Sequence, residues 1–223
     1  MWMISPNVQR LVLSALAPVI ELLAPQRCGI CDCEGALLCH ACRGLWIPAQ
    51  PEPVPGTGLR AAAALGPYEG GLGAAIRTAK YGGVPGLARE LGSALGPAIT
   101  RVTRNAPYQA TLVPIPTDQS RVHERGFDHA LLMAEAAGLA CGAPVAQLLM
   151  RTRPTAPLHA AHRDERATML DGAMATAGSL LIPPAIVLID DVRTSGATMR
   201  EAARALHASG AHWVAGVSVA YER

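Results

Sequence analysis

A continuous apolar run followed at once by two carboxylates constrains this chain more than any other feature of its 223 residues. The run, residues 186–189, has the composition of a strand buried on both faces, as in a parallel sheet. Asp190 and Asp191 follow it directly, and buried carboxylates are costly unless a ligand or a partner satisfies them. Because ligands of open α/β sheets bind at the carboxyl ends of strands, the pair predicts a ligand crevice at this point.

The loop after the acid pair has the composition of a phosphate-binding turn. It consists of Thr194, Ser195, Gly196, Ala197 and Thr198, and it leads into a helix predicted over residues 198–209. Such a loop can direct backbone N–H groups and hydroxyls at one phosphate, aided by the positive amino end of the helix. The alternative is an ordinary strand, tight turn and capped helix. That alternative explains neither the acid pair nor three hydroxyls in five residues.

The body of the chain alternates short apolar runs with longer helical patterns, which is typical of a mostly parallel sheet flanked by helices. We predict strands over residues 59–65, 110–115, 185–189 and 212–220, and helices over residues 72–81, 84–100, 127–140 and 198–209. The polar segment 151–171, rich in arginine and histidine, fits neither pattern. A loop of this length inside an α/β domain is expected to be functional or disordered.

Five of the six cysteines lie within residues 28–42, which favours a metal site over a disulfide framework. The two C-x-x-C pairs, Cys28 with Cys31 and Cys39 with Cys42, offer four thiolates to one tetrahedral zinc ion. A site closed by four protein ligands is structural rather than catalytic. Cys33 and His40 are interpreted as non-ligands, with Cys33 replacing Cys31 if the register differs. An iron–sulfur cluster is the alternative metal group.

The segment 47–58 is dense in proline, which excludes a helix and disfavours a sheet. We predict that it links an N-terminal helix and zinc ribbon, residues 1–46, to an α/β domain, residues 59–223. The apolar stretch 11–23 is too short to span a bilayer, and no A-x-A-type cleavage site precedes the cysteines. We therefore expect no membrane span and a cytoplasmic protein.

Charge and aromatic content argue against a dedicated nucleic-acid binder. The formal net charge of +2 is only mildly basic. One Phe, four Tyr and three Trp leave few side chains on which the bases of a single strand could stack. Composition alone therefore names no partner.

The run DDVRTSGAT, from Asp190 to Thr198, resembles the ligand motif of type I phosphoribosyltransferases, in which an acidic pair precedes a T-[ST]-G-x-T loop. The ligand of that family is 5-phosphoribosyl pyrophosphate (PRPP). The resemblance implies that Asp190 and Asp191 contact the ribose hydroxyls at the reacting end of the site. It also implies that the loop 194–198 holds the 5-phosphate of PRPP or of a related sugar phosphate.

The segment 112–138 is similar to the corresponding segment of the ComF family and, more remotely, of amidophosphoribosyltransferases. The resemblance implies a pyrophosphate-binding loop formed by Thr117, Asp118, Gln119, Ser120 and Arg121. From the residues alone, Arg121 and Arg125 are interpreted as solvated charges where a helix begins. The segments Lys80-Tyr81-Gly82 and Pro25-Gln26-Arg27-Cys28 also match the family, so the resemblance covers nearly the whole chain.

The segment 151–171 falls where the ComF family keeps a mobile, arginine-rich loop. Arg151, Arg163 and Arg166 align with that pattern, and the resemblance implies that Arg151 and Arg166 close on the pyrophosphate. The chain departs from the family at Leu158, where a glutamine is expected, and at Asp128, where an asparagine usually follows Arg-Gly-Phe. The asparagine expected shortly after Arg166 is also absent. These departures keep a non-catalytic role open.

Three functional hypotheses follow. The first is a ComF-type protein that binds PRPP with Mg²⁺ and transfers its phosphoribosyl group to an unidentified acceptor. The second, implied by the resemblance, is an accessory factor of natural transformation that binds single-stranded DNA, with a competence helicase as a partner and PRPP as a ligand. The third is a sensor of PRPP or nucleotides without catalysis.

Overall fold

The structure, a computed structural model, describes residues 25–46, 50–153, 171–178 and 181–222. The helices are α1 (His40–Gly44), α2 (Gly70–Tyr81), α3 (Pro85–Ala94), α4 (Gly96–Val102), α5 (Gln119–Arg125), α6 (His129–Cys141) and α7 (Ala197–Ala208). The strands are β1 (Glu52–Val54), β2 (Leu59–Pro67), β3 (Thr111–Pro114), β4 (Leu149–Arg151), β5 (Met174–Thr176), β6 (Ala185–Arg193) and β7 (Trp213–Tyr221). The predicted N-terminal helix, Leu158, Arg163 and Arg166 lie outside the described residues.

The main sheet is mostly parallel, with the strand order β1-β2-β7-β6-β3. Strands β2, β7, β6 and β3 run parallel, and the short β1 pairs antiparallel with β2 at one edge. Strands β4 and β5 form a separate antiparallel ribbon. The predicted fold class, a mostly parallel sheet flanked by helices, is confirmed at this level.

Strand β6 lies at the centre of the core and is buried on both faces. Val187 and Ile189 face the layer formed by α2, α3, α4 and α6, whereas Ile186 and Leu188 face the layer that contains α7. All of these side chains have no exposed surface. The run is therefore continuously apolar because both faces of the strand are buried, as the sequence indicates.

The predicted helix over residues 84–100 is two helices. Helix α3 ends at Ala94, and α4 begins at Gly96 with Pro97 in its first turn. Proline has no N–H to continue the helical ladder, and the N–H of Leu95 bonds to the carbonyl of Gly92, three residues back. The helical hydrogen-bond pattern is therefore interrupted at Leu95, inside the segment that the sequence predicts as one long helix.

Several elements form where the sequence predicts none, and besides the ribbon strands β4 and β5 they include an edge strand and a short helix. Glu52–Val54, inside the predicted linker, pairs with β2 as an edge strand. Pro53 is tolerated there because an edge strand has one side without a neighbouring strand. Gln119–Arg125, whose first residues the resemblance assigns to a pyrophosphate-binding loop, is helix α5, which Asp118 caps and Gly126 ends in a left-handed conformation with φ of 79°.

The cysteine segment packs on the body of the protein. Cys28, Leu38 and Cys42 belong to the same buried cluster as Leu87 of α3. A Cβ added to Gly29 would lie 2.7 Å from the side chain of Leu87, so the two segments approach closely. Within the described ranges, no helix is long and apolar enough to cross a membrane.

Candidate functional site

A cavity of about 410 Å³ lies beyond the ends of β3 and β6. Its polar wall residues are Lys80, Thr117, Asp118, Arg121, Arg125, His129, Arg151, Asp190, Asp191, Thr194, Thr198 and Glu222. The cavity exists because β3 stops pairing with β6 at Ile189, while β6 continues beside β7 to Arg193. The acid pair thus lies inside β6, where its neighbour β3 has already ended, and not after the strand as the sequence suggested.

The two carboxylates of the pair have different surroundings, beginning with Asp191, which is buried. Its Oδ2 forms an ion pair with Lys80 and lies 2.7 Å from Nε2 of His129. Burial alone would raise the pKa of Asp191, but Lys80 and His129 outweigh it and hold the pKa well below its usual range. Burial likewise opposes the charge of Lys80, yet Asp191 keeps the pKa of Lys80 raised. Asp191 is therefore an anchored anion.

Asp190 is half-buried and lines the cavity. Its Oδ1 accepts a hydrogen bond from the backbone N–H of Asp191 at 2.9 Å. Burial, followed by the neighbouring charge of Asp191, raises the pKa of Asp190 from 3.8 to about 7. Asp190 is thus the more exposed member of the pair and the one whose charge is less compensated, although both carboxylates line the cavity.

The predicted phosphate loop forms the turn between β6 and α7. Thr194 and Thr198 line the cavity, whereas Ser195, Gly196 and Ala197 are not among its described wall residues. Gly196 adopts a left-handed conformation with φ of 75° and is the N-cap of α7, so the N-cap residue has no side chain to cap the helix, but Oγ of Ser195 accepts a hydrogen bond from the N–H of Ala197 at 3.4 Å. The amino end of this 12-residue helix therefore offers backbone N–H groups beside two threonine hydroxyls.

The second predicted loop is only partly a loop. Thr117, Asp118 and Arg121 line the cavity, whereas Gln119 and Ser120 are exposed in the first turn of α5 and are not described as wall residues. Asp118 accepts hydrogen bonds from the backbone N–H and the hydroxyl of Ser120, at 2.9 and 2.6 Å. These bonds lower the pKa of Asp118. The helical conformation of 119–125 thus turns part of the predicted pyrophosphate loop away from the cavity.

Arg151, at the end of β4, reaches the cavity from the ribbon. Its Nε donates a hydrogen bond to the carbonyl oxygen of Pro116 at 2.8 Å. Burial lowers its pKa, while the charges of Asp118 and Asp190 act in the opposite direction. The side chain remains a cation in the cavity wall, close enough to feel the charges of Asp118 and Asp190. Arg166, predicted to act with it, lies outside the described residues.

Sequence reasoning missed part of the cavity wall. The sequence indicates only a family match for Lys80 and no role for His129, yet both line the cavity. Arg125 was interpreted as a solvated charge, yet it is half-buried in the cavity wall. The signal that could have located them is a charged or polar residue next to the end of a predicted helix.

The cysteine cluster contains a thiol that the sequence interpretation left out. The Sγ atoms of Cys28, Cys31, Cys33 and Cys39 all lie within 4.8 Å of one another, as ligands of one tetrahedral ion must. Cys33 thus belongs to this group, contrary to its interpretation as a non-ligand. Cys42 is not part of the group, although its backbone N–H donates to Sγ of Cys39 at 3.4 Å.

The environment of the thiols suits a metal ion. Burial would raise the pKa of Cys28, but the backbone N–H groups of Cys31, Cys39 and Ile30 lower it to about 6. Contacts with the thiols of Cys31 and Cys39 raise the pKa of Cys33 to about 12. Burial, and then contacts with the thiols of Cys31, Cys39 and Cys28, raise the pKa of Cys42. Thiols crowded in this way repel one another as anions, and a bound cation removes that repulsion.

Comparison with known proteins does not identify a family. The sequence matches no protein-family model, and a search of curated proteins finds no match. The resemblance to ComF therefore rests on its motifs, and the inference of function rests on the geometry of the cavity.

Proposed function

We propose that this chain is a ComF-type protein that binds PRPP with Mg²⁺ in the cavity beside β3 and β6 and transfers its phosphoribosyl group to an acceptor. One observation carries the proposal. The two predicted ligand loops, 117–121 and 190–198, come from neighbouring parallel strands and contribute residues to a single cavity. A sugar with a phosphate at each end needs two separate phosphate sites with polar groups between them.

The 5-phosphate is assigned to the start of α7. Thr194 and Thr198 supply hydroxyl donors, and the backbone N–H groups after Gly196 supply further ones. The positive end of a helix macrodipole favours an anion at this position. The left-handed conformation of Gly196 lets the chain make the turn without strain.

The ribose is assigned to the acid pair. In its charged form Asp190 accepts hydrogen bonds from the ribose hydroxyls. Asp191 is already engaged by Lys80 and His129, so its role is to fix the end of β6 against α2 and α6. The two acids therefore divide the work between contact and support.

The diphosphate is assigned to the wall formed by Arg121 and Arg151. Arginine offers planar, bidentate donors that match phosphate oxygens. Carboxylate oxygens such as those of Asp190 and Asp118 suit Mg²⁺, which when bound would neutralise charge on the departing diphosphate. In the transfer itself, the bond from the anomeric carbon to the diphosphate oxygen breaks, and the acceptor's nucleophilic atom forms a bond to that carbon. The cations of the cavity stabilise the released pyrophosphate.

We propose in addition that the cysteine cluster holds one structural zinc ion. The thiol spacing, the exclusive use of sulfur ligands and the lowered pKa of Cys28 support this assignment. A zinc ion held by four thiolates has no open coordination position, so we expect it to have no contact with the substrate.

Calorimetric titration of the zinc-loaded protein with PRPP and Mg²⁺ tests the proposal. Asp190→Asn is the informative variant, because Asp191→Asn would also leave Lys80 without its partner. The matched control is Glu135→Gln, an exposed carboxylate on α6 that pairs with Arg89. We expect Asp190→Asn to weaken binding about tenfold or more, and the control to change it less than about twofold. Absence of binding by the unaltered protein would reject the proposal.

Release of pyrophosphate in the presence of candidate acceptors separates transfer from binding alone. Turnover that depends on an acceptor supports the transferase, whereas tight binding without turnover favours the sensor. The DNA-binding hypothesis and the helicase partner stay predictions, since no contact among the described residues favours either of them.

A further inference from the structure

Arg125 is held in the cavity wall by two side chains. It is the last residue of α5 and is half-buried. Its Nη1 lies 3.2 Å from Nδ1 of His129, and its guanidinium carbon lies 5.2 Å from the ring centroid of Tyr81. A guanidinium stacked on one face and hydrogen-bonded at one edge has lost most of its rotamer freedom before any ligand binds.

The contact between Arg125 and His129 fixes the histidine tautomer. A guanidinium is only a donor, so Nδ1 of His129 must accept, and the ring proton must lie on Nε2. That Nε2–H donates to Oδ2 of Asp191 at 2.7 Å. His129 itself is buried, with 8% of its surface exposed. The orientation of Arg125 is therefore set by Asp191 through one neutral imidazole.

The contacts form a closed ring. Asp191 pairs with Lys80, Lys80 is followed in the chain by Tyr81, Tyr81 lies under Arg125, and His129 returns to Asp191. The ring joins α2, α5 and α6 to the end of β6. Such a network makes Arg125 a preorganised donor, and preorganisation lowers the entropy that ligand binding costs.

Arg121 and Arg125 are four residues apart in α5 and both line the cavity. Residues at this spacing lie on the same face of a helix, one turn apart. Arg151 faces the same space from the ribbon. Three guanidinium groups converging on one wall suit a ligand with two adjacent phosphate groups rather than one.

We propose that Arg125 binds the diphosphate end of the ligand and that His129 is its positioning residue. This inference rests on the proposed function and deepens it, because it makes α5 the element that distinguishes a diphosphate from a single hydroxyl at the anomeric carbon. Of the five N–H donors of Arg125, the contact with His129 uses one, so others can reach phosphate oxygens. His129 contacts no ligand in this scheme.

The test compares PRPP with ribose 5-phosphate, which lacks the diphosphate, by calorimetry with Mg²⁺ on the zinc-loaded protein. Arg125→Gln is expected to weaken PRPP binding about tenfold or more and to leave ribose 5-phosphate binding within about twofold. The matched control is Arg89→Gln, an exposed arginine on α3 that pairs with Glu135. Unchanged PRPP affinity in Arg125→Gln, or an equal loss for both ligands, would overturn the inference.

Two substitutions of His129 test the positioning role. His129→Gln keeps an amide donor for Asp191 and a carbonyl acceptor for Arg125, whereas His129→Leu removes both. We expect His129→Leu to reproduce the selective loss of PRPP affinity, His129→Gln to restore most of it, and the double variant with Arg125→Gln to lose no more than either single one. Additive losses, or a failure of glutamine to rescue, would overturn the positioning role.

The same titrations separate the inference from the proposed function. If the unaltered protein binds neither ligand, the proposed function itself fails. If it binds both and only the arginine and leucine variants lose the preference for PRPP, both stand. Unfolding midpoints of each variant, measured in parallel, identify any fall in affinity that is caused by unfolding. If His129→Leu does not fold, Arg125→Gln still tests the inference, because Arg125 is only half-buried.

Discussion

At the scale of single residues, the two carboxylates of the acid pair have different surroundings, which the sequence alone does not show. Asp190 and Asp191 are adjacent and chemically identical, yet only Asp191 is fixed by Lys80 and His129. Burial and the neighbouring Asp191 raise the pKa of Asp190 to about 7, although the charges of Lys80 and Arg151 act in the opposite direction. We therefore expect the negative charge of Asp190 to lower the stability of the ligand-free protein.

We predict that Asp190→Asn stabilises the ligand-free protein, and does so more at pH 8 than at pH 5. Because the pKa of Asp190 is higher in the folded state than its usual value of 3.8, the free energy of unfolding falls as the pH rises from about 4 to about 7. Above pH 7 the protein keeps this lower stability. Thermal unfolding at both pH values measures the effect, which is expected to reach a few degrees at pH 8, at roughly 2–4 °C per kcal/mol for a chain of this size. A variant less stable than the parent at pH 8 would contradict this account.

The cysteine cluster leads to a prediction about its fourth ligand. Cys33 completes the thiol group with Cys28, Cys31 and Cys39, and the same three thiols interact with that of Cys42, which lies outside the group but can replace Cys33. We expect Cys33→Ser and Cys42→Ser each to retain one equivalent of zinc, because either remaining thiol completes the tetrahedron.

The double variant Cys33→Ser/Cys42→Ser is expected to bind zinc at least about tenfold more weakly, since three thiolates remain. Zinc content after dialysis and the absorption of the Co²⁺-substituted protein measure this. Complete loss of zinc in one single variant would show that a unique fourth ligand exists.

Much of the site is predictable from local sequence patterns. The rest depends on tertiary packing and is therefore not predictable from them. The positions of Asp190, Thr194 and Thr198 follow from a buried strand, a small-residue turn and a helix, which are all local. The roles of Lys80 and His129 depend on the packing of α2 and α6 against the end of β6, and that packing has no local sequence signature. The membership of Cys33 in the thiol cluster likewise depends on the fold of the segment and not on C-x-x-C spacing.

At the scale of elements, the close contact between α3 and α6 depends on Gly92. A Cβ at this position would lie 2.3 Å from the carbonyl oxygen of Met133, a backbone atom that cannot rotate away. The two helices cover the sheet face next to the cavity-forming α2, so their separation would disturb the layer that supports Lys80.

We predict that Gly92→Ala destabilises the protein by about 1–3 kcal/mol, as overpacking of a core does. The matched control is Gly44→Ala in α1, where an added Cβ would meet nothing within 4 Å. Urea unfolding measures both, and the control is expected to change stability by no more than about 1 kcal/mol. Equal effects of the two substitutions would show that the helix contact is not tight.

The elements that the sequence predicted are the long ones with a clear period. Strands β2, β3, β6 and β7 and helices α2, α6 and α7 lie within a few residues of their predicted positions. Strand β1 is three residues long and contains Pro53, and the β4–β5 ribbon consists of two strands of three residues. Segments this short are stabilised by pairing with distant strands, so their own sequences carry little signal.

At the scale of the whole molecule, the cysteine segment shares a core with the α/β body. Cys28, Leu38 and Cys42 are buried in the cluster that includes Leu87. Binding of a metal ion at these thiols would therefore be coupled to packing on α3. A module joined only by a flexible linker would behave differently, because its unfolding would leave the body unaffected.

We predict that a strong chelator lowers the unfolding midpoint of the entire protein and leaves one cooperative transition. A loss of about 2 kcal/mol or more corresponds to a shift of roughly 4–8 °C for a chain of this length. Calorimetric unfolding with and without chelator measures the shift. Two separate transitions, or an unchanged midpoint for the main one, would contradict the shared core.

The crystal structure of the zinc-loaded protein with PRPP and Mg²⁺ tests the central claim most directly. The account predicts the 5-phosphate at residues 194–198, the ribose hydroxyls at Asp190, and the diphosphate against Arg121, Arg125 and Arg151. A ligand bound outside this cavity, or bound with its two phosphate ends exchanged, would contradict the assignment of the two loops.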